Sequence, residues 1–276
     1  MKIQVLMDNR IQDANLETEH GLSIYLEYQG QKWLLDTGAS ELFIKNAISL
    51  GVDIKDIDYV FISHGHSDHI GGLPAFLEIN KKAKVVISDM ALSQKFFSTN
   101  DGLHNLGIDF NFSPYKNRFI YVYDFMDLGE GIYVFPTLND KYPLPKGNAY
   151  LYKDNGYGFQ SDDFDHELAI CFGKTELLVF TGCAHNGVLN ILDLVKTYVP
   201  LPVTFLIGGF HLLDPTNVEL FEKEDELDKI SQTLYDENPQ ACLYTGHCTG
   251  VHTFRRLKMI LGDHLNPFYT GFTLVL

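Results

Sequence analysis

The chain has 276 residues, 45% hydrophobic and 21% charged, enough apolar material for a sizeable core in a composition that excludes a disordered or membrane-spanning class. Its 36 acidic residues against 21 basic ones give a formal net charge of −15. Such a surface on average repels phosphodiester polymers and anionic headgroups, so neither nucleic acid nor membrane is expected as a partner.

The opening MKIQVLMDNR alternates like a strand and has no basic segment leading into an apolar run, so no secretory leader is read and a cytoplasmic location is expected. IQVLMD, LSIYLEY and QKWLLDTG read as the first strands, with Gly30 and Gln31 in a hairpin loop, so the sheet begins antiparallel. Leu42, Phe43, Ala47, Ile48 and Leu50 have helical spacing, and DYVFISHG reads as a buried strand ending in polar residues. IGGLPAFLEIN then opens a helix and AKVVISD a further strand. From about Phe96 to Phe164 the chain is rich in Asn, Asp, Tyr and Gly without sustained period, and a loop-rich insertion with short strands is expected over 96–164. Its Tyr115, Phe119, Tyr142, Tyr150 and Tyr152 either pack that insertion, the preferred reading, or form an aromatic substrate pocket.

A clear rhythm returns with HELAICFGKTELLVFTG, two strands around a Gly-Lys turn, and VLNILDLVKTYV, an amphipathic helix. The strand VTFLIGGFHL, an acidic helix near Glu219 to Tyr235, the strand ACLYTGHC and a helix after Gly250 follow. Two runs of strands and helices predict an α/β fold, a four-layer αββα sandwich, with residues 1–276 as a single domain.

The segment SHGHSDHIGG places His64, His66, Asp68 and His69 within six positions directly after an apolar strand. Imidazole and carboxylate together suit zinc, manganese or iron better than calcium. Structural zinc sites are usually closed by four protein ligands and favour cysteine, so this donor set points to an open catalytic site. Asp36, at the end of a buried strand, has the position of a carboxylate that orients a metal-bound imidazole through its free nitrogen. The cysteines are Cys171, Cys183, Cys242 and Cys248, with no CxxC pair. Cys171 and Cys242 read as ordinary reduced thiols, whereas Cys183 and Cys248 each sit beside a histidine in a glycine-containing turn. His211 follows two glycines at a strand end, which leaves it open as a substrate contact, an alternative metal ligand or a surface residue.

SHGHSDHIGG resembles the HxHxDH signature of the metallo-β-lactamase superfamily, and LLDTGAS resembles the strand motif that precedes it there. The resemblance extends through TEHGLSIYLE, ELLVFTGCAHNG, IGGFHL and YTGHCTG, to a subgroup of metal-dependent hydrolases that includes proteins named as dihydropterin-linked aminobenzene phosphate synthases. It implies the αββα fold and a cleft holding one or two divalent ions, zinc first, with manganese or iron as alternatives. Carried over by residue, it implies His64, His66 and His185 as ligands of one ion and Asp68, His69 and His247 as ligands of a second. It also brings His166 and His20 in as metal or substrate contacts, although His20 on sequence alone is a turn residue. The chain departs from the family pattern at Thr181-Gly182-Cys183, where the usual bridging aspartate is replaced by a thiol; Cys183 is either a ligating thiolate or a small packed residue.

The expected activity is hydrolysis of an ester, amide, thioester or phosphodiester of a small molecule, with Asp68 orienting a metal-activated water. Three other readings stand beside it: an iron-dependent oxidoreductase, a transferase acting on a pterin-like phosphate, and a non-catalytic metabolite-binding protein. Substrate identity and oligomeric state are left open.

Overall fold

The computed structural model describes residues 1–216 and 221–276. Two seven-stranded sheets form its centre. The first runs in the order Thr273–Val275, Lys2–Met7, Ser23–Tyr28, Gln31–Leu35, Tyr59–Phe61, Lys84–Ile87 and Phe119–Tyr121. The second runs Leu265–Pro267, Cys242–Thr245, Val203–Gly208, Leu177–Phe180, Leu168–Phe172, Ile132–Pro136 and Met126–Gly129. In both, hairpin-connected antiparallel strands give way to parallel ones, and the parallel strands are those that carry the chemistry.

The layering follows from strands that are apolar on both faces. Trp33 and Leu35 point into a cluster between the sheets while Leu34 points out of it; Ile170 and Phe172 point in while Ala169 and Cys171 point out. Period-two alternation with apolar residues at every position is what a sheet covered on both sides requires. Helices Leu42–Ser49 and Leu73–Ile79 cover the first sheet, and helices Val188–Tyr198, Glu224–Glu237 and Val251–Leu261 cover the second. The result is the αββα sandwich expected from the sequence. Among the described residues, no helix is long and apolar enough to cross a membrane.

Local chemistry shifts several expected boundaries. The first hairpin turns on Gln29 and Gly30, both with positive φ (49° and 79°), so Gln31 already belongs to the strand. The helix expected from Ile70 is split, with a turn at Ser67–Ile70 and the longer helix beginning at Leu73. The acidic helix begins at Glu224, where Glu224, Asp225 and Glu226 complement the positive end of the helix dipole; Glu219 lies outside the described residues. Asp214 accepts hydrogen bonds from the backbone N–H of His252 and Thr253, capping the helix Val251–Leu261 from a separate loop.

The segment 96–164 lies closer to the core than its composition suggests. Phe119–Tyr121 extends the first sheet, and Met126–Gly129 and Ile132–Pro136 extend the second. A further four-stranded sheet, ordered Phe159–Ser161, Leu151–Asp154, Lys95–Ser98 and His104–Asn105, sits beside the histidine cluster and supplies one wall of its cleft. Lys153 is buried in that sheet and pairs with Asp163 and Asp165.

Close backbone approach fixes the loop after the histidine cluster. A Cβ on Gly72 would stand 2.2 Å from Thr37 O and 2.6 Å from both Phe43 Cε1 and Ser40 O. Gly72→Ala should therefore destabilise the fold by about 1–3 kcal/mol, as overpacked cores do, whereas Gly107→Ala should stay within about 0.5 kcal/mol, its nearest new contact being an ordinary 3.4 Å. Equilibrium denaturation of both variants checks this, and equal stability of the two would contradict the packing.

Candidate metal centre

The parallel strands of each sheet end on the same side, and the site is built from the residues that follow them. Leu35 is followed by Asp36, Phe61 by the run to His69, Phe180 by the turn to His185, Gly208 by His211, and Thr245 by His247 and Cys248. The chain must turn sharply to aim these side chains inward. Asp36, Ala184, His211 and His247 all have positive φ (57°, 58°, 48° and 49°), a conformation costly for non-glycine residues and concentrated at functional sites.

Four imidazoles share one arrangement. His64 Nδ1 donates to Ser63 Oγ (2.9 Å), His69 Nδ1 to Asp36 Oδ2 (2.7 Å), His185 Nδ1 to Asn148 Oδ1 (3.1 Å) and His247 Nδ1 to Asn9 Oδ1 (2.9 Å). The donor roles follow from the network: Ser63 Oγ already donates to Asp36, and the Asn148 and Asn9 amides donate elsewhere. Each ring thus turns its Nε2 to the interior. The Nε2 atoms of His64 and His185 are buried and have no hydrogen-bond partner, a costly state unless another group binds there.

Two histidine-rich donor sets share Cys183. Ligand atoms of Asp68, His69, Cys183 and His247 lie within 4.8 Å of one another, as do those of His64, Cys183 and His185. His69 Nε2 is 3.0 Å from His247 Nε2 and 3.1 Å from Cys183 Sγ; Asp68 Oδ2 is 3.2 Å from His247 Nε2 and 3.5 Å from His69 Nε2. Ligands on one tetrahedral zinc stand roughly 3.3 Å apart, given Zn–N bonds of about 2.0–2.1 Å, so this donor spacing fits a single cation. The His66 ring stands 4.7 Å from that of His64 and 5.0 Å from that of His185, centroid to centroid, while its ligand atom groups with those of Asp162 and His166, all within 4.8 Å of one another.

Electrostatics favours neutral imidazoles in one set and charge in the other. Burial, reinforced by neighbouring histidines, pushes the His64 and His185 pKa values well below the ordinary imidazole range, leaving neutral rings suited to ligation. Burial works against the charged form of Asp68, but His69, His20 and His247 outweigh it and hold the carboxyl well below its usual range. Burial likewise opposes a charged His247, yet the hydrogen bond to Asp68 and the nearby anionic groups raise it to about 9.

The remaining sequence candidates take different places. His211 is buried with neither ring nitrogen hydrogen-bonded, its ring 4.2 Å from that of His185. His20 lies at the surface, its Nε2 3.2 Å from Asp68 Oδ2 and its ring stacked on His247 at 5.1 Å. His166 stands behind His66 with both nitrogens engaged, Nδ1 accepting from Gly65 N and Nε2 3.1 Å from Asp162 Oδ2. Of the aromatic candidates in 96–164, Tyr150 lines the cleft. The cleft has a volume of about 400 Å³ and is walled by Asn9, Ser98, Asn100, Leu106, Tyr150 and Leu213 around the histidines.

Sequence reasoning missed the residues that hold the candidates in place. Asp162 lies 3.6 Å from His66 Nε2 as well as against His166. Asn148 and Asn9 orient His185 and His247. Asp8 accepts from His247 N (2.7 Å). Glu167 is fully buried and accepts from His185 N (2.6 Å), Asn186 N (2.9 Å), Asn186 Nδ2 (3.0 Å) and Thr137 Oγ1 (2.8 Å), fixing the turn that carries Cys183 and His185. An acid opening the otherwise apolar HELAICF strand was the available signal for it.

The family model described as the metallo-β-lactamase superfamily matches residues 17–139. The crystal structure of Tm1679, titled a metal-dependent hydrolase of the β-lactamase superfamily, is 30% identical, covers 100% of this chain and 99% of its own, and superposes with a TM-score of 0.83. The chain belongs to the metallo-β-lactamase superfamily. Within that superfamily it is 26% identical, over 91% of its length and 87% of the relative's, to a Methanocaldococcus jannaschii protein named 7,8-dihydropterin-6-methyl-4-(beta-D-ribofuranosyl)-aminobenzene-5'-phosphate synthase. It is 24% identical to the uncharacterised M. jannaschii protein MJ0448, over 98% and 96% of the two chains. Metallo-β-lactamase membership carries with it divalent-metal binding, and the metal-dependent hydrolase relative supports a general hydrolase reading.

Glu167→Gln keeps the shape of a buried acceptor but turns an amide N–H₂ towards a ring of donors. It should cost about 1–3 kcal/mol, read as a lowered midpoint in denaturant; unchanged stability would mean that the carboxylate does not hold the turn.

Proposed function

We propose that the chain is a metal-dependent hydrolase acting on an ester, amide, thioester or phosphodiester of a small molecule, and that residues 1–276 work as a single domain. One observation carries this reading: imidazoles anchored through Nδ1 turn their Nε2 atoms towards one thiol, and those of His64 and His185 are buried with no partner. His64, His66 and His185 would hold one divalent ion and Asp68, His69 and His247 a second, with Cys183 between them. Zinc suits this mixture of imidazole, carboxylate and thiolate best. A divalent ion bound there supplies Lewis acidity and brings the pKa of water towards neutrality.

The chain's own groups position the reaction. Asp68, kept as a carboxylate by its three histidine neighbours, accepts a hydrogen bond from a water in the cleft and sets its direction of attack. His20 Nε2–H donates to the same carboxylate at the cleft mouth, and Asn9 donates to His20 Nδ1 (2.9 Å), so a surface imidazole is tied to the centre. Ser98, Asn100, Leu106 and Tyr150 face the centre across the cleft and are the residues that would select the substrate. The name of the M. jannaschii synthase supports a second reading, transfer on a phosphate ester. Turnover with water as the sole acceptor separates the two: a hydrolase releases product without added co-substrate, and a transferase does not.

Elemental analysis of protein purified without chelator should find divalent metal, zinc foremost, largely lost from a His64→Ala, His66→Ala double variant that keeps native circular dichroism. Equal metal in both proteins would sink the assignment. Asp68→Ala should lower metal-dependent turnover of generic ester or phosphodiester substrates by about 10²-fold or more. Asn148→Ala, which frees His185 to rotate, should weaken metal binding by roughly 10–100-fold, measured by competition with a chromogenic chelator.

A further inference from the structure

A further group of metal-ligating side chains shares Cys183 with the two histidine-rich sets. Ligand atoms of Cys183, His211 and Cys248 lie within 4.8 Å of one another, and all three residues are buried. The loops after Phe180, Gly208 and Thr245 each supply one of them. Cys248 and His211 also line the cleft, so the group is open to solute.

Three features set this group apart from thiols that merely pack. His211 has both ring nitrogens buried without a hydrogen-bond partner, a state that calls for a ligand. Its backbone N–H points at Cys248 Sγ (3.2 Å), a contact that favours a sulfur carrying negative charge. The backbone is also cut away to admit these side chains. A Cβ on Gly209 would fall 2.3 Å from Cys248 Sγ, and one on Gly147 would fall 3.0 Å from His211 Nε2. Cys171 is the contrast: it sits in an apolar cluster and belongs to none of the donor groups found among the described residues.

We propose that Cys183, Cys248 and His211 form a separate, sulfur-rich cation position that takes a thiophilic divalent ion such as zinc or cadmium. Two thiols and one imidazole are a soft donor set that discriminates against magnesium, calcium and manganese. With Zn–S bonds of about 2.3 Å, three donors at this mutual spacing surround one ion and leave a coordination place facing the cleft. Cys183, which belongs to three of the donor groups, bridges this position to the two histidine-rich ones that contain it. The proposal shares Cys183 with the hydrolase reading but does not require the other two positions to be filled.

Cadmium is the probe. Reduced, metal-free protein is titrated with Cd²⁺ while bound cation per chain and sulfur-to-cadmium ultraviolet absorption are followed. Wild type should bind one cadmium more per chain than Cys248→Ser, and the variant should lose about half of the sulfur absorption, one of two thiolates being gone. The His64→Ala, His66→Ala variant should keep the Cys248-dependent cadmium, so failure of the hydrolase assignment and failure of this one give different results. Equal cadmium and equal absorption in wild type and Cys248→Ser would overturn the proposal. Alkylation of wild type, mapped by mass spectrometry, provides a measurement that needs no variant. Cadmium should protect Cys248 while Cys242 reacts as before, and unprotected Cys248 at saturating cadmium would overturn the proposal equally.

Discussion

Asp36 is buried at the end of the strand Gln31–Leu35, and its carboxylate joins three parts of the site. One oxygen accepts from Ser63 N (2.7 Å); the other accepts from Ser63 Oγ (2.7 Å) and from His69 Nδ1 (2.7 Å). Ser63 in turn accepts from His64 Nδ1. One buried side chain therefore sets the rotation of two imidazoles and locks the tip of the neighbouring strand, which its positive φ allows it to reach. A buried carboxylate is tolerable only when its acceptor capacity is filled, so the histidines stabilise Asp36 as much as Asp36 orients them.

The second sheet has its own buried carboxylate in Glu167, which holds the turn of Cys183 and His185. The two anchored tips meet at Gly182, where a Cβ would lie 2.3 Å from Ser63 Oγ. Parallel strands make this convergence possible. Their carboxyl ends share one edge of the sandwich, so residues far apart in the chain, such as His64 and His247, arrive in one cleft without a long connecting loop. The site occupies an edge because irregular backbone there can meet both sheets without breaking the ladder of either.

Legibility in the sequence divided along a physical line. The alternating strands were readable because each is apolar on both faces, and the layers follow from that pattern. His64, His66, Asp68 and His69 were readable because they are local: one short segment after one strand carries them all. Asn148 and Asn9 were not, because an asparagine in a polar loop has the same local appearance whether it faces solvent or accepts from a buried imidazole. Asp162 and the wall formed by Ser98, Asn100 and Tyr150 were hidden for a related reason. They lie at or beside the ends of strands that are short and partly exposed and so lack the hydrophobic period that marks an element, and Lys95–Ser98 pairs with Leu151–Asp154 across a long sequence separation. His166, which the resemblance brought in as a metal or substrate contact, has its ring nitrogens against Gly65 N and Asp162 Oδ2, and its donor atom lies within 4.8 Å of those of His66 and Asp162.

Cys183 bears on how the centre would choose its ion. In the proposed arrangement it occupies the place where the superfamily pattern has an aspartate, with its Sγ 3.1 Å from His69 Nε2 and part of three donor groups. A thiolate and a carboxylate carry the same charge, so the exchange leaves the overall electrostatics of the donor sets unchanged. It alters softness and reach: sulfur binds at about 2.3 Å where oxygen binds at about 2.0–2.2 Å, and it favours zinc over manganese. The exchange also shifts the protonation balance, since burial and the neighbouring Cys248 push the Cys183 thiol up. A cation must therefore displace a proton from Cys183 to recruit it, and metal loading and thiol ionisation become one coupled event.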